Sequence, residues 1–240
     1  ALVWVPTPGG GLLQVFTFAP GEAPSPGVRT AVPGPAPAWI ASAERGDRSR
    51  WVAFAHHAAA GSSSGAGMRK PGGLFLRRWP DQVADGPAVQ IAELDGEIVA
   101  GDVMLDPKDV MHLALLVLVG APEGLRSLKL MQWSVPKDAA SARPGPTLDV
   151  EWPSDVAIDH AVLQIGPLGT PVAILHGGER WSIFEPKRGL RDLPAKVTMA
   201  QTAIDLSFLM LGKPYLVVGR PLIGFEVLDE QGEPLPHSCG

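Results

Sequence analysis

Short apolar runs closed by glycine or proline recur along the whole chain. Residues 171–175 read Pro-Val-Ala-Ile-Leu, a turn follows at Gly177 and Gly178, and Trp181, Ser182, Ile183 and Phe184 form the next run. Residues 214–219 read Pro-Tyr-Leu-Val-Val-Gly, and Gly224, Phe225, Glu226, Val227 and Leu228 follow after another turn. Runs this short, rich in Val, Ile, Leu, Phe and Trp, predict strands. Residues 113–119 are apolar throughout, which suits a strand buried on both faces. The best helical candidates are 110–119 and 199–211. Proline or glycine closes each of these, and β-branched residues are frequent, so strand is preferred.

The runs repeat. Ala157, Ile158 and Asp159 open one copy, and Ala203, Ile204 and Asp205 open the next, 46 residues later with the same order of features. Ala100, Gly101, Asp102 and Val103 match that opening upstream, 112–119 match the second strand and 128–135 the third. Earlier still, 38–40, 51–55 and 73–79 supply a first, second and third strand. At the start, 2–5 and 13–18 fit a second and third strand, so the first copy lacks its opening strand. Proline follows the third strand in four copies, at Pro20, Pro80, Pro136 and Pro186. Proline has no backbone donor and is tolerated at strand ends, so its recurrence marks a recurrent strand end. The pattern predicts an all-β single domain, a β-propeller of about five four-stranded blades. The approximate blades are 1–32, 33–94, 95–148, 149–196 and 197–240, in an incomplete ring or part of a larger one.

The last copy resembles a diverged WD40-type repeat. Residues 215–219 resemble that family's second strand, 225–229 its third, and 230–235 the turn into its fourth. No copy ends in Trp-Asp, and no Gly-His dipeptide precedes one. The resemblance implies a propeller scaffold that binds other proteins.

Composition agrees with a strand-rich globular chain. Apolar residues make up 45% of the 240 positions and charged residues 19%. Glycine (28) and proline (25) punctuate the apolar runs instead of forming polar tracts,. The net charge of −5 gives no electrostatic reason to expect nucleic acid as a partner,. No apolar run approaches the length of a membrane span. The single cysteine, Cys239, allows no intrachain disulfide, so the fold does not depend on an oxidising compartment. The chain opens directly in a strand-like run. A cytoplasmic location is favoured, and a secreted or periplasmic one follows if the N-terminus is processed.

Candidate chemistry is sparse. Asp102, Asp159 and Asp205 recur at one place in three copies. On innermost strands they could face a central channel and attract a cation, because hard ions prefer clustered oxygens. The competing reading is that each bonds its own blade's backbone. His56, His57, His112, His160 and His176 lie in or beside strands, but adjacent histidines on a strand point to opposite faces, and no metal-ligand spacing is present. No Gly-x-Ser-x-Gly motif supports the serines at 62–64, and Gly9, Gly10 and Gly11 read as a hairpin turn. Trp79, Trp133 and Trp181 fall on third strands, where aromatics wedge between sheets. The 58–71 stretch is longer than a hairpin needs and ends in the basic tip Met68, Arg69 and Lys70, a candidate binding loop.

The expected function is a non-enzymatic propeller scaffold that docks a protein partner or a neighbouring domain, with no cofactor, no metal and no membrane span. One alternative is a propeller enzyme or small-ligand or cation binder using the central channel. Another is a structural subunit of a large assembly.

Overall fold

A computed structural model describes residues 2–7, 10–17, 23, 25–33, 36–47, 49–58, 72–79, 88–120, 126–198, 203–208, 213–221 and 224–235. The protein is all-β, with strands β1–β19, the four-residue helix α1 (Ala195–Thr198) and a 3-10 turn (Ala139–Ser141). The first helical candidate resolves as the strand β9 (Met111–Gly120), and the described part of the second as β17 (Ala203–Phe208), the rest of 199–211 lying outside the described residues. No helix among the described residues is long and apolar enough to cross a membrane.

Strands consecutive in sequence pair in antiparallel sheets. The first sheet is β1 (Leu2–Thr7), β2 (Gly10–Thr17) and β3 (Ser25–Pro33). The second is β4 (Trp39–Glu44), β5 (Arg50–His56), β6 (Gly72–Trp79) and β7 (Val89–Leu94). The third joins β8 (Glu97–Leu105), β9 and β10 (Arg126–Val135), with β11 (Arg143–Pro144) and β12 (Leu148–Val150) both on β10. The fourth is β13 (His160–Ile165), β14 (Pro171–Gly177), β15 (Arg180–Glu185) and β16 (Gly189–Asp192). The fifth is β17, β18 (Pro214–Arg220) and β19 (Gly224–Leu228), and a bridge from Leu228 to Pro234 continues the meander. Pro136 and Pro186 directly follow the last residues of β10 and β15. Pro20 and Pro80 lie outside the described residues.

The chain divides into two compact units, 1–98 with 135–142, and 99–134 with 143–240. In the first, residues 51–55 of β5 are buried without interruption, as are Leu74, Leu76 and Leu94. Phe54 stacks on its cross-strand partner Phe75 at 5.3 Å between ring centres. Arg45 is only 5% exposed. Its guanidinium lies over the Trp51 ring and donates to the backbone oxygens of Val135 (2.9 Å) and Pro136 (3.2 Å). A buried cation requires this kind of compensation.

In the second unit the fourth sheet has a core on each face. Leu163 and Ile165 of β13 with Ala173 and Leu175 of β14 pack against Ala114, Leu116, Leu128 and Leu130 of the third sheet. Val172 and Ile174, the intervening residues of β14, pack against Ile204, Leu206, Leu216 and Val218 of the fifth. Side chains alternate between faces along a strand. The uninterrupted apolar run of β14 therefore feeds two cores, and the sheets stack in sequence order.

Three tight turns in this unit share one geometry. The N–H of Asp106 donates to Val110 O and that of Asp109 to Asp106 O, at 2.9 and 3.0 Å. Gly166 with Thr170 and Gly169 with Gly166 repeat the pair at 2.9 and 2.8 Å, and Asp229 with Glu233 and Gly232 with Asp229 repeat it at 2.9 Å each. The fourth residue is left-handed each time: Asp109 (φ 63°), Gly169 (φ 76°) and Gly232 (φ 77°). A three-residue hairpin loop with one residue at positive φ has this form.

Candidate functional site

The first two of these turns build a cleft. The β8 strand runs into the 106–110 turn and β13 into the 166–170 turn, so Asp106 and Gly166 stand at equivalent corners. Gly169 lies against the His112 ring, where an added Cβ would come within 3.1 Å of it. Phe208, the last residue of β17, lies against Gly166 in the same way, 2.8 Å from such a Cβ. The ends of three successive first strands thus converge on an open cleft of about 620 Å3. Residues 104–107 line one side, Gln164, Ile165 and Pro167 the floor and rim, and Ser207 and Phe208 the other side.

Asp106 is the one charged residue among the described residues that line the cleft. Its Oδ1 accepts from the backbone N–H of Lys108 (2.8 Å) and Val110 (2.9 Å). Its Oδ2 meets His112 Nε2 at 3.2 Å. The Val110 N–H and these further contacts hold the carboxyl below the usual aspartate range, so it is ionised at neutral pH,. The Gln164 amide and the Ser207 hydroxyl have no hydrogen-bond partner among the described residues. Leu168, beside Pro167 at the turn tip, is 86% exposed. His112 also lines a smaller cavity of about 180 Å3 with Gln132, Trp133, Ser134 and Gly169.

The three aspartates singled out from sequence do not come together. Asp102 Oδ2 accepts from Ile165 N at 2.7 Å, at the end of β13. Asp159 precedes the start of the same strand, where Oδ2 accepts from Gly178 N at 3.2 Å and lies 3.8 Å from His176 Nδ1. The two therefore stand at opposite ends of a six-residue strand, about 20 Å apart at 3.3 Å per residue,. Asp205 accepts from Leu206 N at 2.7 Å.

Nor do Asp159 and Asp205 share a strand position. Ile165 pairs with Pro171, and Phe208 pairs with Pro214. The strands thus repeat at 43 residues (165 to 208), not the 46 of the Ala-x-Asp triplets, and Asp205 corresponds to Val162. Asp159 and Asp205 each bond a backbone N–H of their own sheet, as the competing reading holds, whereas Asp102 departs from it by bonding the N–H of Ile165 in the next sheet. Among the described residues no group of three or more His, Cys, Asp and Glu could hold a metal ion.

The third-strand tryptophans are likewise out of register. Trp181 sits second in β15, opposite His176 and 4.3 Å from its ring, whereas Trp79 ends β6, opposite Arg50. Trp133 is third from the end of β10, opposite Pro144. Met68, Arg69 and Lys70 lie outside the described residues, as do 59–71 altogether. The stem of that stretch is tightly held. His57 Nδ1 accepts from Ile98 N at 2.9 Å, Ala58 N donates to Gly96 O at 3.2 Å, and a Cβ on Gly72 would strike the backbone at His56.

Sequence reasoning missed Asp106, Gln164, Ser207 and Phe208. The available signal was the pair of turn-starting dipeptides, Asp106-Pro107 and Gly166-Pro167, 60 residues apart,.

No family model matches the chain, and no curated protein does. Among solved structures, one similar chain is a crystal structure of a protein of unknown function from Dyadobacter fermentans DSM 18053. It is 12% identical, with 93% of this chain and 76% of that chain covered and a TM-score of 0.45.

Proposed function

We propose that this chain is a diverged β-propeller that acts as a binding module, taking a segment of a partner protein in the cleft at the ends of β8, β13 and β17. In the second unit three successive antiparallel meanders stack face to face in sequence order, which supports the propeller reading, because blades pack that way around an axis,. The WD40-type resemblance of the last copy belongs to the same proposal, with β18 and β19 as that repeat's second and third strands.

One observation carries the binding reading. An open cleft at strand ends presents two polar side chains without a partner among the described residues, Gln164 and Ser207, beside the exposed Leu168. Partner-binding surfaces combine these features, an apolar anchor with polar groups awaiting partners. The Asp106/His112 pair resembles a proton-transfer dyad, but His112 makes no hydrogen bond to a serine, threonine or cysteine among the described residues. Positioning is the role that suits it.

Selection of a random peptide library on the immobilised full chain tests the reading. Enriched peptides are expected to lose binding when Leu168→Asp is introduced, a change at an exposed tip that leaves the fold intact. Enriched peptides that bind the variant equally, or a selection that enriches no sequence, would overturn it.

A further inference from the structure

The cleft's chemistry narrows what the partner segment must carry. Among the described residues that line it, Asp106 brings the only formal charge, and none is a lysine or arginine. Asp106 Oδ1 is saturated by two backbone N–H groups, whereas Oδ2 meets only His112 and keeps a further lone pair,. The Gln164 carbonyl and Ser207 hydroxyl supply two neutral acceptors with no partner among the described residues. The walls are Met104, Pro107, Pro167 and Phe208.

From this arrangement, and resting on the partner-binding reading above, we propose that the cleft receives the cationic side chain of a lysine or arginine. The aliphatic stem lies along the prolines and Met104, as such stems do on apolar surface. The charged head reaches Asp106 Oδ2, Gln164 and Ser207, with the Phe208 ring as a further electron-rich contact. An acidic side chain would face Asp106 with no cation to offset it.

The test uses the full chain, labelled for NMR, and four blocked amino acids as probes: the Nα-acetyl N-methylamides of arginine, lysine, norleucine and glutamate. The amide signals of Gln164 and Ser207 are expected to shift saturably with the two basic probes, with a Kd about fivefold below that of norleucine. Glutamate is expected to produce no shift. Asp106→Asn keeps the acceptor for the Lys108 and Val110 N–H groups and removes the charge, so the preference for the basic probes should vanish. Equal binding of norleucine and arginine, an unaltered preference in the variant, or no shift with any probe overturns the proposal. If Asp106→Asn does not fold, Gln164→Leu and Ser207→Ala decide. Each should weaken the arginine probe at least about twofold and spare norleucine, and unchanged arginine binding in both overturns the proposal. Peptides selected on the rim that depend on Leu168 yet carry no basic residue would overturn the cation preference and leave the partner-binding reading standing.

Discussion

The Asp102 carboxylate on β8 accepts a 2.7 Å hydrogen bond from the backbone N–H of Ile165 on β13, so a side chain of the third sheet completes the backbone of the fourth. Burial raises the carboxyl above its ordinary range, against the Ile165 and Val103 N–H groups, which lower it,.

The first prediction concerns this bond. A carboxyl raised in the folded state binds a proton there that the unfolded chain has already released. Its contribution to stability is full below the unfolded value of about 3.8. It is lost as the pH rises through the raised folded value. Asp102→Asn keeps an acceptor for Ile165 N–H without a buried charge. Urea unfolding between pH 3.5 and 7 should show that decline in the wild type and not in the variant. Asp102→Leu leaves the Ile165 N–H orphaned and should cost about 1–3 kcal/mol. A wild-type profile that Asp102→Asn does not change would refute the assignment.

The second prediction uses the equivalence of the tight turns. Gly169 and Asp109 occupy the same left-handed position, but only glycine does so without a Cβ penalty,. Gly169→Ala adds that penalty and pushes a methyl to 3.1 Å from the His112 ring. A loss of about 1–2 kcal/mol is expected by thermal or urea unfolding. Asp109→Gly should stay within about 0.5 kcal/mol of the wild type. Relief of the left-handed strain is offset there by the greater freedom of the unfolded chain.

A third prediction runs opposite to the first in pH. Burial pushes His56 below its ordinary value of 6.5, and the neighbouring His57 adds to this, while the Ala36 backbone contact opposes it. His56 Nδ1 is buried without a hydrogen-bond partner. As the pH falls below about 6.5, the unfolded chain gains a proton that the folded chain resists, so stability declines until the depressed folded value is passed. His56→Phe, flanked by Phe54 and Phe75, should flatten the difference in urea midpoint between pH 7.5 and 5.5. The same midpoint difference in wild type and variant would rule out His56 as its source.

The doubly buried strands were legible in the sequence because burial on both faces leaves an uninterrupted apolar run. Residues 51–55, 113–117 and 171–175 are cases in point, and Pro136 and Pro186 mark strand ends from the same reading. The outer strands β3 and β7 escaped notice. An edge strand buries less, so sequences such as Val-Gln-Ile-Ala-Glu-Leu carry weaker patterning,. The triplet at Asp159 misled because it stands three residues out of step with the strands, whereas Asp102 and Asp205 both sit three residues before the ends of β8 and β17. The cleft was illegible for another reason. Its residues come from positions near 106, 165 and 208, and only the stacking of three strand ends brings them together. Spacing along the chain carries no trace of that.

The last prediction separates a stacked sheet from a one-sided one. Ile174 and Leu175 are neighbours on β14 and both fully buried. Ile174 belongs to the core shared with the fifth sheet and Leu175 to the core shared with the third. In a sheet with one wet face, one of two adjacent residues points to solvent, and its truncation costs little. Here Ile174→Ala and Leu175→Ala should each cost about 2–5 kcal/mol. Because the two side chains share no packing partners, the double variant should lose close to the sum, with a coupling energy of no more than about 0.5 kcal/mol. Equilibrium urea unfolding of the two single variants and the double variant gives all three numbers. A near-neutral result for either single variant would mean that one face of β14 is not packed. The stack of sheets that supports a propeller would then fail at its central member.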